Sequence, residues 1–396
     1  MDGFYRTHRY LVEQCNAPVR RGLMDEIDWS ARMIGIKGTR GVGKTTFLLQ
    51  YIKERFQPND RRCLYINMNN FYFQGRGIAD FAGEFYRQGG RVLLIDQVYK
   101  QQEWSKELRA CYDMYSKLKI IFSGSSVMRL KKENPELCDI TKSYNLRGFS
   151  FREYLNLSTG EKFRSMTLEE IMSDKERLVK EIVSKVNPLE YFKDYIKHGF
   201  YPLFREHDDF SENLLKSMNM MTEVDILMIK QIELKYLTKI KKLFYLLATN
   251  ELPSLNISLL AKEIQTSRAT VMNYIKYLAD ARLINIIYPV GQSYPKKPTK
   301  VMLHNPNLYQ AFTEIEKNSQ QLMETFMVNT LWKDHKVNQS SREIHYTIDG
   351  SLRFKVCRTT DLTKLNAKNK GTLYCQYDTN TVTDNIVPLW LLGFLY

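Results

Sequence analysis

The segment Gly38 to Thr46 reads G-T-R-G-V-G-K-T-T, and no other part of the chain limits its fold so tightly. It satisfies G-x-x-x-x-G-K-[ST], a loop whose glycines let consecutive backbone N–H groups turn inward around a phosphate chain. The run before it, Arg32–Lys37, is short and apolar, and Thr46–Ile52 carries an apolar stripe at helical spacing. Strand, glycine loop and helix in that order predict an α/β core with its ligand at the carboxyl ends of the strands. In that setting Gly38, Thr39, Arg40, Gly41, Val42, Gly43 and Thr46 would cradle the phosphates of ATP. Lys44 would sit on those phosphates, beside the partial positive charge of the helix N-terminus. The Thr45 hydroxyl would ligand Mg²⁺.

Three further apolar runs, Arg62–Asn67, Arg91–Asp96 and Lys119–Gly124, each end on a polar residue or turn. Strands that are apolar throughout, separated by helices, imply a parallel sheet covered on both faces. Val92–Asp96 delivers an acid beside the loop, so Asp96 would hold Mg²⁺ directly or through water. ATPases of this general class place a carboxylate next, to polarise the attacking water; this chain has Gln97. An amide can hydrogen-bond a water but cannot take its proton. Either the chain hydrolyses ATP slowly by nature, or Gln97 replaces a glutamate to trap the ATP-bound state; the intact remainder of the site favours the second. Ser123 and Ser125 close the next strand, where Ser123 could reach the γ-phosphate or the water.

At 396 residues the chain is long enough for two to four domains. Its 58 Lys+Arg against 44 Asp+Glu give +14, a surplus that favours polyanionic partners, DNA first. Six cysteines without a C-x-x-C pair fit thiols in a reducing compartment. No apolar run approaches the ~20 residues of a membrane helix, so a cytoplasmic protein without membrane contact is expected.

The pattern divides into an N-terminal extension (1–30), a phosphate-loop core (31–157), a helical segment (158–248), a compact unit (249–290) and a mixed C-terminal region (291–396). The compact unit reads as a winged helix: Ile257–Ile264, a turn at 265–267, then Arg268–Ala279. Val271, Ile275 and Leu278 fall on one face as core. Arg268, Thr270, Asn273, Lys276 and Tyr277 lie away from it, as a groove-reading or phosphate-gripping helix requires. Leu283–Tyr288 would form the wing strand. Lys239, Lys241, Lys242, Lys296, Lys297 and Lys300 add positive charge, although winged helices also serve as protein-interaction modules. Gly291–Pro298 reads as a connector.

Together, G-T-R-G-V-G-K-T-T, L-L-I-D-Q-V-Y-K, F-S-G-S-S and Leu146–Leu155 (L-R-G-F-S-F-R-E-Y-L) resemble a prokaryotic AAA-type ATPase family, in which an AAA domain precedes a domain of unknown function. The closing Pro388–Tyr396 resembles versions from gut Bacteroidota. The resemblance implies an α/β P-loop NTPase of the AAA+/ASCE kind: a parallel sheet with a helical lid, then a winged helix and a C-terminal α+β restriction-endonuclease-like domain. It implies Glu where Gln97 stands, and a homo-oligomer, a hexamer-like ring or partial ring, with ATP shared between subunits and an arginine reaching across. Relatives carry Arg where Lys142 stands, so Arg147 and Arg152 become the finger candidates, each also readable as a structural salt bridge. His198–Pro202 resembles the G-G-Y-P element by which the lid senses nucleotide. An active nuclease version needs an acid and then Asp/Glu-x-Lys on paired strands. Leu352–Arg358 lacks the carboxylate, and Glu324 and Asp349 read as surface groups, so this domain is expected to be degenerate. The function implied is an ATP-dependent DNA-binding motor or switch, with branched or structured DNA as one target; the alternatives are an oligomeric signalling or conflict switch and an ATP-gated nuclease.

Overall fold

Four short strands, apolar and buried along nearly their whole length, and a fifth, polar and largely exposed at the edge, centre the first of two units, Met1–Gly148 and Phe149–Tyr396. The structure, a computed structural model, describes residues 1–128, 134–202, 210–249, 255–312, 319–339, 345–358 and 371–396.

In the first unit β1 (Met33–Gly38), β2 (Cys63–Asn67), β3 (Val92–Asp96), β4 (Lys119–Ser125) and β5 (Lys142–Asn145) lie in the order β2-β3-β4-β1-β5. All pairings are parallel. Ile34, Leu93, Leu94, Ile121 and Phe122 are fully buried, as a sheet covered on both faces requires. The order places β4 between β1 and β3, so the loop after β1, the residue ending β3 and the serines of β4 share one edge. Helix α1 (Asp2–Gln14) is part of this body rather than an extension beside it. It buries Val12 and His8, whose Nδ1 accepts from the Tyr65 N–H at 2.9 Å. Burial holds the His8 imidazole down to about 4, so it stays neutral there. Helix α2 (Lys44–Arg55) follows the loop and buries Phe47, Leu48 and Ile52. Helices α3 (Ile78–Arg87) and α4 (Trp104–Met114) connect the remaining strands.

The second unit begins with α5 (Phe151–Thr159), fixed by a Ser150–Glu153 capping box and stopped by Gly160 at φ +78°. Helix α6 (Leu168–Val183) starts on a second capping box, Thr167 with Glu170. Next come α7 (Pro188–Asp194), a π-helical turn at Tyr195–Gly199, α8 (Phe210–Met220) and α9 (Leu237–Thr249). Helices α10 (Ile257–Glu263) and α11 (Arg268–Asp280) lead into an antiparallel hairpin of β6 (Ile284–Ile287) with β7 (Lys300–Leu303). Helix α12 (Ser319–Leu331) precedes a mixed sheet of order β12-β11-β10-β9-β8. Its strands are β8 (Val337–Asn338), β9 (Tyr346–Ile348), β10 (Leu352–Cys357), β11 (Thr372–Gln376) and β12 (Ile386–Pro388). Phe151, Phe192, Tyr195, Phe326, Trp390 and Phe394 share its core.

The first compact unit ends at Gly148, and helix α5 packs Phe151 against Phe192 and Phe394 in the second. Gly291–Pro298 is the loop of the β6–β7 hairpin, because Ile284 pairs with Leu303 and Ile287 with Lys300. A cut at 290 would divide one hydrogen-bonded element.

Candidate functional site

The loop after β1 is held open by its backbone. Gly43 sits at φ +89°, a left-handed conformation that suits glycine. Gly38 must lack a side chain: a Cβ there would meet the Leu146 carbonyl oxygen at 2.5 Å. Lys44 Nζ donates to the Gly38 and Thr39 carbonyls at 2.9 and 2.7 Å, which fixes the ammonium over the loop. Thr39 and Val42 are buried, and Arg40 Nη2 donates to the Tyr99 hydroxyl at 3.1 Å.

Asp96, fully buried at the end of β3, gathers the rest. Its Oδ2 accepts from the Thr45 hydroxyl at 2.7 Å and the Tyr65 hydroxyl at 2.8 Å. Its Oδ1 accepts from the Ser123 hydroxyl. Burial, and after it the Asp96 charge, push the Tyr65 phenol far up, so it remains a donor. Among the described residues no cationic side chain pairs with Asp96, and no three His, Cys, Asp or Glu side chains converge to hold a metal alone. A hydroxyl and a carboxylate 2.7 Å apart nonetheless suit a hard cation that takes its other oxygens from phosphate and water. The donors fit Mg²⁺.

Gln97 stands at φ 56°, half-buried, and its N–H donates to Ser123 Oγ at 3.1 Å. Such a backbone costs about 1 kcal/mol for any residue but glycine. That strain falls equally on Gln and Glu, so it does not select between them. Ser123 therefore links Asp96 to Gln97 across the sheet, whereas Ser125 accepts from the Val127 N–H at 3.3 Å within its own turn.

Sequence reasoning missed two residues here. Tyr65 is one. Arg21 is the other: buried, it donates to the Val42 carbonyl at 3.1 Å and to those of Arg147 and Gly148 at 2.7 and 3.1 Å. It thereby ties the phosphate loop to the chain leaving β5. Only its place in a basic stretch hinted at this.

Of the finger candidates, Arg147 lies half-buried beside that brace. Arg152, in the second unit, is buried, with Nε on the Tyr396 carbonyl at 3.0 Å, Nη1 on that of Phe163 at 3.2 Å, and Glu153 at 4.0 Å. This geometry fits the structural reading of Arg152, and a guanidinium so enclosed is not placed to reach a neighbour. Lys142 is exposed and pairs with Asp28. In the His198–Pro202 element, Phe200 N–H donates to Asn307 Oδ1 at 2.8 Å, fastening the turn to the segment after β7.

On α11, Val271, Ile275 and Leu278 are fully buried. Arg268 is exposed; Thr270, Asn273, Lys276 and Tyr277 are half-buried on the rest of the helix. Thr270 N–H and hydroxyl both meet the Ser267 hydroxyl, the helix cap. Part of the expected basic surface is otherwise engaged. Lys239 and Lys242 donate to the Gln265 and Glu263 carbonyls at the end of α10, and Lys241 pairs with Glu223. Lys300 pairs with Glu324. Lys296 and Lys297 are exposed on the hairpin loop.

Asp349 is exposed, as expected of a surface group, whereas Glu324 is half-buried. Glu324 accepts from Lys300 at 2.5 Å, Tyr346 at 2.6 Å and Gln320 at 3.0 Å. Burial works to raise its pKa, yet the Lys300 charge and these bonds together hold it below the ordinary value. Asp349 joins His335 at 2.6 Å and the Lys336 N–H at 2.8 Å. Strand β10 itself carries no carboxylate.

Residues 30–155 match a family described as an AAA domain, and residues 189–319 a domain of unknown function, DUF8612. The chain is 30% identical over 285 residues to "Uncharacterized protein MJ1637" of Methanocaldococcus jannaschii, covering 68% of this chain and 59% of that protein. Similar solved structures include Aeropyrum pernix ORC1 in complex with DNA (10% identity, 79% of this chain and 92% of that one, TM-score 0.33). Thermotoga maritima RuvB is another (12%, 76% and 91%, TM-score 0.31). At such scores the fold rests on the strand order and loop geometry themselves. With its phosphate loop after β1 and its buried acid ending β3, the segment 30–155 matches the AAA-domain family and has the P-loop NTPase fold.

Proposed function

We propose that this protein binds ATP with Mg²⁺ at its AAA domain, shares that site between subunits of a ring or partial ring, and couples it to the hold of its winged helix on DNA. The observation that carries the nucleotide part is the 2.7 Å contact between Thr45 and Asp96, at one edge of the sheet with Lys44. The loop N–H groups would receive the phosphates, and Lys44 would exchange the Gly38 and Thr39 carbonyls for phosphate oxygens. Mg²⁺ on Thr45 and Asp96 would neutralise charge developing on the phosphates. Gln97, positioned by Ser123, would hold a water through its amide but could not accept its proton, so hydrolysis is slow. Arg147 remains the finger proposed for a neighbouring subunit.

The DNA part is supported by the exposed Arg268, Lys296 and Lys297 around α11 and its hairpin. The C-terminal mixed sheet fits a degenerate nuclease fold kept for binding or assembly, since β10 lacks an acid and Glu324 is already joined to Lys300. Calorimetric titration with ATP·Mg tests the first part: heat of binding is expected, and Lys44→Ala should abolish it. An Lys44→Ala protein that binds ATP as tightly as the parent would refute the site. Duplex DNA binding that weakens steeply with salt is expected for the second part. No binding at low salt would leave a switch that engages a protein.

A further inference from the structure

The loop closing the β6–β7 hairpin bends back onto the helix that precedes it. Its residues 290–297 are exposed, yet Tyr294 is held in place. The Tyr294 hydroxyl donates to Asn273 Oδ1 at 2.6 Å, and the Lys276 ammonium lies 4.4 Å from the centre of its ring. The Lys296 N–H closes a turn on the Ser293 carbonyl at 2.9 Å, and Lys296 and Lys297 follow, both exposed.

This arrangement bears on what the helix can recognise. An asparagine reads adenine with both ends of its amide, Nδ2 donating and Oδ1 accepting in one bidentate pair. In this chain the Tyr294 hydroxyl occupies one of the two lone pairs of Oδ1 and holds the amide to the loop. Thr270 is likewise engaged, its hydroxyl 2.9 Å from that of Ser267. The charge displayed on this face is positive, from Arg268, Lys276, Lys296 and Lys297. An aromatic face under an ammonium fixes its position without cancelling its charge. Ammonium and guanidinium groups so displayed suit phosphate oxygens and carry no base information.

Resting on the reading of this module as a nucleic-acid interface, we infer that Tyr294 silences base recognition by Asn273 and makes the surface a sequence-indifferent grip on the phosphate backbone of duplex DNA. Tyr294 is here a positioning residue on a binding face. Its counterpart in the duplex is the sugar–phosphate edge on either side of a groove.

The test uses the full chain and fluorescence anisotropy with duplexes of equal length and unrelated sequence, over a series of salt concentrations. Affinities should agree within about three-fold across sequences, with a log–log salt slope near −3.6, about 0.9 for each of the four cations. Lys296→Ala with Lys297→Ala should weaken every duplex by the same factor and flatten the slope by about 1.8. Tyr294→Phe keeps the ring under Lys276 and releases the Asn273 amide. Selection from randomised duplexes by that variant should then reveal a preference of about ten-fold, the scale of one bidentate contact, and adding Asn273→Ala should erase it. Circular dichroism checks that each variant is folded.

The inference is overturned if the parent protein already discriminates sequences by more than about ten-fold and Asn273→Ala alone removes that discrimination. It is also overturned if the Lys296 and Lys297 changes leave the salt slope unaltered, or if duplex RNA or polyglutamate binds more tightly than duplex DNA. Failure to bind any duplex at the lowest salt refutes instead the underlying DNA reading, and the two failures look different in the same titrations.

Discussion

The acid at the end of β3 and the acid on α12 meet opposite company. Asp96 accepts hydrogen bonds from three hydroxyls, those of Thr45, Tyr65 and Ser123, and at 3.5 Å from the Asn67 amide, all neutral donors. Glu324 receives one hydroxyl, one amide and an ammonium. Neutral donors orient a carboxylate but leave its charge intact, whereas a lysine cancels it. Among the described residues Asp96 has no cationic partner, which leaves it open to the proposed Mg²⁺, and Glu324 already has one. Burial differs between them, complete at Asp96 and partial at Glu324. The chemistry of the donors separates them.

The largest expected effect lies beside Asp96. Gln97→Glu adds a group able to take a proton at a backbone position already fixed by Ser123, so ATP turnover should rise by on the order of 1,000-fold. Phosphate release under saturating ATP·Mg measures it; equal rates for the two proteins would show that Gln97 is not what slows hydrolysis. Asp96→Asn comes next. It keeps the hydrogen bonds in part and removes the charge, so affinity for ATP should lose its dependence on Mg²⁺ and fall by on the order of 100-fold. Its thermal stability should hold, because no cationic partner among the described residues is left stranded. Glu324→Gln should leave ATP affinity unchanged. A common effect of both substitutions would break the contrast.

Lys300→Met sharpens the same contrast from the other side. It strands a half-buried carboxylate, and with the ammonium partly exposed to water the cost should be about 2 kcal/mol, below that of a fully buried pair. Chemical denaturation would read it, with ATP binding as the unaffected control.

What was legible in the sequence was local. The phosphate loop and the acid after β3 were readable because strand, turn and helix follow within a few residues of each motif. The meeting of Thr45 with Asp96 then follows from the strand order. The missed partners are joined over distance: Tyr65 reaches Asp96 from a neighbouring strand, and Arg21 reaches Arg147 across the unit. Arg152 stood next to an acid, yet its main partner is the Tyr396 carbonyl, which no local pattern announces. Charge clusters hide such partners too. Lys239 and Lys242 form a basic patch in one dimension, and in space they also donate to the Gln265 and Glu263 carbonyls at the end of α10. Tyr294 fell in a Pro- and Lys-rich stretch that reads as a linker until the register of β6 with β7 closes it into a loop.

The smallest effect is a dependence on acidity, and it isolates the Glu324 charge from its hydrogen bonds. The folded-state pKa of Glu324 lies below the ordinary 4.5. Between those two values the unfolded chain binds the extra proton, so stability rises with pH there. The pair's contribution is complete above 4.5 and disappears as pH falls through the folded value. Glu324→Gln offers Lys300 and Tyr346 an acceptor of the same shape that does not titrate. Its deficit against the parent protein, followed by thermal unfolding from neutral pH downward, should be constant above 4.5 and shrink below it. A deficit that persists unchanged into acid would mean that shape and hydrogen bonding, not the carboxylate charge, hold α12 to β7 and β9. The two acids would then differ less than their neighbours imply.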